Sequence, residues 1–238
     1  MEVGKNATGS GSLPGACPPG SYARLVTQSL FALLVCAAAV EVCYLFIDRP
    51  VAFFVHDHDL KRFAILKQFT YVPEIVPQWS PVALALLMVR RAWGPLQRCE
   101  WTLLAAIVSM LIAEQCRESL KFVFGRYWPD TWINNNPSLI RDDAYGFHPF
   151  HGGDWRNWYG SFPSGHTARS VGFAWVFWIV YPRWRWLCVL VVASVVAGLV
   201  GNNDHFVGDT IAGGVVGGIV GTYTARLMIL TDITCSAA

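Results

Sequence analysis

Six long apolar runs, parted by polar and charged connectors, organise this chain. From Leu25 to Ile47 nearly every side chain is apolar, and a helix needs roughly 20 such residues to cross a bilayer. This run predicts a first span at 25–47, and later runs predict spans at about 71–89, 101–121, 164–181, 186–201 and 206–230. The expected fold is therefore all-α, a six-span transmembrane helical bundle over residues 23–230. A flexible cytoplasmic tail over 1–22, rich in Gly, Ser and Pro, and a short tail at 231–238 flank it.

The connectors and interruptions carry further expectations. Residues 48–68 mix Phe53, Phe54, Phe63 and Leu66 with His56, Asp57, His58, Asp59, Lys61 and Arg62, which predicts an amphipathic segment at the membrane surface. The His-Asp alternation reads as a solvated face, because alternate neighbours in an extended segment point to opposite sides. Glu41, inside the first span, is expected to face protein, since a lipid-facing carboxylate is costly. Pro73, Pro77 and Pro81 predict a kinked second span whose freed carbonyls find other donors. Residues 122–162 form a long non-cytoplasmic loop between helices three and four, too long for a plain connector, and are expected to carry function.

Composition narrows the class. At 54% hydrophobic and 14% charged, the chain is far from soluble domains, of which about 25% is charged. A net charge of +2 with scattered basic residues excludes a nucleic-acid partner, and the seven cysteines show no zinc-type spacing. Arg24, Arg90, Arg91, Arg98, Arg183, Arg185 and Arg226 fall on one side of a six-span topology, which places both termini in the cytoplasm. Arg49, Lys61, Arg62 and Lys67 fall opposite and oppose that assignment. The expected setting is a plasma (bacterial inner) membrane, with the long loop facing the periplasm or exterior.

Three polar clusters then share one membrane level. In Ser161-Phe-Pro-Ser-Gly-His-Thr-Ala-Arg-Ser170, Pro163 suits a first helical turn, and Ser164, Gly165 and His166 suit an anion-attracting helix N-terminus. His166 can give a proton to a leaving oxygen, and Arg169 lies one turn on. The third span ends with Glu114, Arg117, Glu118 and Lys121, which could equally neutralise one another. His205 and Asp209 have the i, i+4 spacing by which a carboxylate on a helix orients an imidazole nucleophile.

Lys121-Phe-Val-Phe-Gly-Arg126-Tyr-Trp-Pro129, Pro163-Ser-Gly-His166 and His205-Phe-Val-Gly-Asp209 together resemble the motifs of the type 2 phosphatidic acid phosphatase superfamily, over spans three to six. The resemblance implies an enzyme without metal or other cofactor. In it His205 forms a phosphohistidine, Asp209 orients His205, and His166 protonates the leaving group. Lys121, the Ser164 hydroxyl and the Gly165 N–H would hold the phosphoryl oxygens. Two motif arginines are replaced, by Trp128 and Leu199, so Arg126 and Arg169 are expected to supply the lost cations, with Arg117 as a third candidate. A roof of Trp128, Trp132, Trp155 and Trp158 suits a phosphorylated lipid substrate held at the bilayer. Candidate substrates are polyprenyl pyrophosphate, phosphatidylglycerophosphate, phosphatidic acid and lipid A. Phosphotransfer to a second lipid, an intramembrane serine hydrolase built on Ser164, and a non-catalytic lipid-binding or transport protein are the competing readings.

Overall fold

The computed structural model describes residues 20–132, 135–150 and 158–230. Residues 1–19 of the expected N-terminal tail, the tail at 231–238 and Trp155 lie outside the described residues. The described chain is helical, with short bridges and no strand among the described residues. Helix α1 (Gly20–Val42) passes through one π turn, Cys43–Ile47, straight into α2 (Asp48–Asp57). Helices α3 (Ala64–Ala92), α4 (Arg98–Phe124), α5 (Leu139–Asp142), α6 (Gly165–Val180), α7 (Arg185–Gly201) and α8 (Val207–Ala225) follow. Five stretches are long and apolar enough to cross a membrane: Tyr22–Asp57, Ala64–Ala92, Arg98–Phe124, Pro182–Gly201 and Val207–Ile229. The expected fourth span is α6, only 16 residues long.

The segment 48–68 departs from expectation. Its first ten residues continue the first helix, and its last five open α3, so only the intervening turn is non-helical apart from one 3-10 turn. Asp48, Ala52 and Val55 are buried, whereas Phe54 and Phe63 are exposed. His56 to Asp59 are exposed. Glu41 is exposed as well, contrary to expectation, because α1 packs chiefly on α8 and leaves most of its surface open.

The core is a three-helix packing of α4, α6 and α8. Small residues on α8 allow it. A Cβ at Gly213 would lie 2.4 Å from the Ser164 carbonyl oxygen, and one at Gly217 would lie 2.6 Å from that of Ala168. Any larger residue would therefore force α8 away from α6. Ala105, Ala106, Val176, Val180, Ala225 and Ile229 fill the end of this packing away from His166. Ser109 Oγ donates to the Gly172 carbonyl at 2.7 Å and Trp175 Nε1 to Thr222 Oγ1 at 2.8 Å, tying the helices with polar contacts that need no water. In α3 the helix continues through its prolines. Pro81 has no N–H for the Pro77 carbonyl, and Ser80 Oγ donates to that oxygen instead, at 2.9 Å.

Helix α4 ends at Gly125, whose φ of +48° suits glycine. The loop beyond folds back on itself. Arg126 N–H donates to the Tyr159 carbonyl at 2.7 Å, Ser161 N–H returns a bond to the Arg126 carbonyl at 3.2 Å, and Leu139 N–H donates to Trp128 at 3.0 Å. These bonds hold Arg126 and Trp128 against the starts of α6 and α8.

Candidate active site

The end of α4, the start of α6 and the turn between α7 and α8 meet at one cleft of about 500 Å³. Lys121, Gly165, His166, Arg169 and His205, five of the expected site residues, line it. Arg117, Trp128, Trp132 and Asp204 join them, as do Thr70 and Tyr71 from α3.

His205 lies just before α8, so it and Asp209 do not share a helical face. Phe206 is the N-cap, and Asp209, three residues on, turns back to accept the Phe206 N–H at 3.0 Å. The same oxygen, Oδ2, accepts from Ser161 Oγ at 2.5 Å and stands 3.6 Å from His205 Nδ1. That last separation is an ion-pair distance, and His205 Nδ1 is a buried nitrogen with no hydrogen bond. Such catalytic contacts are often long in an empty site and shorten when substrate binds. Burial pushes the His205 imidazole below its ordinary pKa, against the pull of Asp209. Burial thus favours the neutral ring.

Arg126, expected at the phosphate, does not line the cleft. Its guanidinium is fully buried between two carboxylates, donating to Asp209 Oδ1 at 2.5 Å and to Asp48 Oδ2 at 2.7 Å, with Tyr145 Oη at 3.2 Å. Burial alone would favour losing the proton, but Asp209 and Asp48 hold the guanidinium charged above its ordinary pKa. Asp48 also accepts the Gly208 N–H at 3.0 Å. The arginine thus holds the carboxylate that faces His205. Ser164 departs from expectation too. It is the N-cap of α6, and its hydroxyl accepts from Thr167 N at 3.4 Å and Thr167 Oγ1 at 3.1 Å, away from the cleft lining. Pro163 precedes that cap, after a cis bond, and so lies outside the first turn.

The cations that do reach the cleft are Arg117, Lys121 and Arg169. Arg117 pairs with Glu114 and, at 2.8 Å, with Glu118; Lys121 stands 3.9 Å from Glu118. Arg169 donates to Glu74 at 2.7 Å and lies 3.5 Å from Glu114. The pairing expected within helix three therefore exists, yet Nε of Arg117 and Nε of Arg169 are buried with no hydrogen-bond partner among the described residues. Arg117 comes close because position 165 is glycine: a Cβ there would fall 2.7 Å from the guanidinium carbon. Gly165→Ala is expected to push Arg117 back and weaken orthovanadate binding about tenfold, read by calorimetric titration of the purified protein.

At Trp128 and Leu199, the two positions expected to have lost an arginine, apolar contacts stand. Trp128 is buried, with its ring 5.2 Å from that of His205, and Leu199 is buried with its carbonyl taking the Asp204 and His205 N–H groups at 2.9 and 3.3 Å. Trp132 stacks edge-on to Trp128 at 4.9 Å and lines the cleft, whereas Trp158 does not line it. Burial holds Asp204 up at about 7, against the nearby Lys61.

Sequence reasoning missed Asp48 and Glu74. Glu74 reaches from α3 to His166 Nε2 at 2.9 Å as well as to Arg169. Only the positions of both in apolar, span-length runs could have flagged them.

No curated protein and no solved structure matches the chain. A family model described as the PAP2 superfamily matches residues 102–230, from the first turns of α4 to the end of the described chain. The matched segment holds both facing histidines, Asp209 and the three cleft cations, and leaves out Asp48 and Glu74. Because it spans more than half the sequence, this chain belongs to the PAP2 superfamily.

Proposed function

We propose that this protein is a six-span integral-membrane lipid phosphatase that cleaves a phosphate monoester or pyrophosphate through a phosphohistidine at His205. The observation that carries the reading is the facing pair His166 and His205, ring centroids 6.3 Å apart, in a cleft with three cations. Phosphoryl transfer in line needs a nucleophile and an acid on opposite sides of one phosphorus, with positive charge around its oxygens.

In the first step His205 Nε2 attacks phosphorus. The bond to the leaving oxygen breaks, its electron pair stays on that oxygen, and His166 supplies the proton. Arg117, Lys121, Arg169 and the Gly165 N–H hold the phosphoryl oxygens as charge builds. In the second step water attacks the phosphohistidine, His166 takes water's proton, and the P–N bond breaks to release phosphate and restore neutral His205. The scheme uses no metal or cofactor. The substrate is a phosphorylated lipid, such as phosphatidic acid, phosphatidylglycerophosphate, a polyprenyl pyrophosphate or lipid A, whose tail stays in the bilayer beside Tyr71 and Trp132. The cleft faces the periplasm or exterior of a plasma membrane, with both termini cytoplasmic.

Purified protein in detergent, given a panel of these lipids, is expected to release phosphate from at least one. Orthovanadate should inhibit, as a trigonal-bipyramidal mimic of the transition state, and EDTA should not. A fluorophosphonate should leave activity intact, because the Ser164 hydroxyl is committed to Thr167. Labelling of Ser164 without vanadate sensitivity would point to a serine hydrolase instead. Transfer of phosphate to a second lipid, with no free phosphate, would make the enzyme a transferase with the same intermediate.

A further inference from the structure

Resting on that phosphatase reading, we propose that Glu74 is the positioning residue of the acid histidine: a second carboxylate–imidazole dyad, supplied by α3, that fixes which nitrogen of His166 delivers the proton. The nucleophile already has such a partner in Asp209. Glu74 Oε1 stands 2.9 Å from His166 Nε2 and 2.7 Å from an Arg169 amino group. With Nε2 engaged as a donor, Nδ1 is the nitrogen left for the leaving oxygen. A carboxylate on one nitrogen and a reacting group on the other is how an imidazole is held in a fixed tautomer and orientation.

The neighbouring charges agree with this role. Arg117 and Lys121 from α4 and Arg169 from α6 crowd the same cleft, and His205 faces from the turn before α8. Glu114 and Glu118, the acids of α4 nearby, pair with Arg117. Glu74 is the carboxylate within hydrogen-bond distance of the His166 ring among the described residues. It also shares its oxygen with Arg169, so one side chain from α3 links both groups that α6 presents to the cleft. A charged residue in a span-length apolar helix is costly without such partners.

The test exploits leaving-group chemistry. A nitrophenolate leaves without help from an acid, whereas an alkoxide does not. The rate of leaving-group release in the first turnover, before water enters, is measured by rapid quench on p-nitrophenyl phosphate and on hexadecyl phosphate for wild-type protein and for Glu74→Gln, which keeps size and an acceptor for Arg169 but removes the charge. Glu74→Gln is expected to lower the rate of the first turnover on hexadecyl phosphate about 100-fold, to leave that on p-nitrophenyl phosphate within about threefold, and to leave vanadate inhibition unchanged. His166→Gln should show the same discrimination, and the double variant should lose no more on hexadecyl phosphate than His166→Gln alone. Equal losses on both esters would overturn the proposal and make Glu74 a packing or phosphate-binding residue. A lower KM on both in Glu74→Gln would overturn it too, marking Glu74 as an anion that substrate must displace. In either case wild-type turnover leaves the phosphatase reading standing. No phosphate release from either ester by the wild type would overturn both.

Discussion

His205→Ala is expected to remove phosphate release by a factor of about 10⁴ or more, while the thermal unfolding midpoint in detergent stays near that of the wild type. The loss is large because a covalent route has no substitute for its nucleophile. Stability should survive because Asp209 keeps its bonds from Arg126, Ser161 and the Phe206 N–H when the ring is gone. Rapid quench with a radiolabelled lipid monoester should trap an acid-labile phosphoryl-enzyme in the wild type and none in the variant. The pH profile adds a signed check. His205 must be neutral to attack, and burial holds its pKa below the ordinary imidazole value. The acid limb of kcat/KM should therefore lie below about pH 6.5. A normal burst of phosphoryl-enzyme in His205→Ala would end the phosphohistidine scheme.

Arg126→Leu is expected to be the most destabilising single change, costing about 3–5 kcal/mol and lowering the midpoint by roughly 6–20 °C. Without the guanidinium, Asp48 and Asp209 are two buried carboxylates left without their shared cation. Activity should fall with it, since the oxygen facing His205 is no longer fixed. Arg126→Lys should recover little, because a single ammonium cannot reproduce the fork that meets both acids. Midpoints from detergent-solubilised protein decide the matter: a variant as stable as the wild type would show that the network does not hold the fold.

How far the sequence was readable depends on whether a signal is local. Apolar run lengths located the helices, but the first runs on to Asp57 rather than ending at Ile47 and α3 begins at Ala64 rather than near 71, where amphipathic spacing concealed helical segments. Histidine spacing and motif order brought His166, His205, Lys121 and Gly165 to one cleft. The role of Arg126 was not readable, because a guanidinium beside a phosphate motif looks the same whether it meets a phosphate or two carboxylates. Its partners lie far away in sequence, at Asp48 and Asp209. Arg117 was ranked behind Arg126 and Arg169 for a similar reason: only packing against Gly165 shows which arginine the helix N-terminus admits. Ser164 carried two compatible uses, cap and ligand, and only the orientation of its hydroxyl distinguishes them.

The three-charge network around Arg126 also constrains the order in which the protein is made. Asp48 leaves the ribosome 78 residues ahead of Arg126, and Asp209 follows 83 residues behind it. At about 5–20 residues per second the second interval is roughly 4–17 s. During that time Arg126 has Asp48 alone, and the turn that will carry His205 does not yet exist. The ionic link can close only after the final helix is inserted, so the nucleophile and the carboxylate that aims it reach their places together, as a late step of assembly. A nascent chain halted before α8 would hold His166 and Glu74 but neither His205 nor Asp209, so the site described above cannot exist in an incomplete chain.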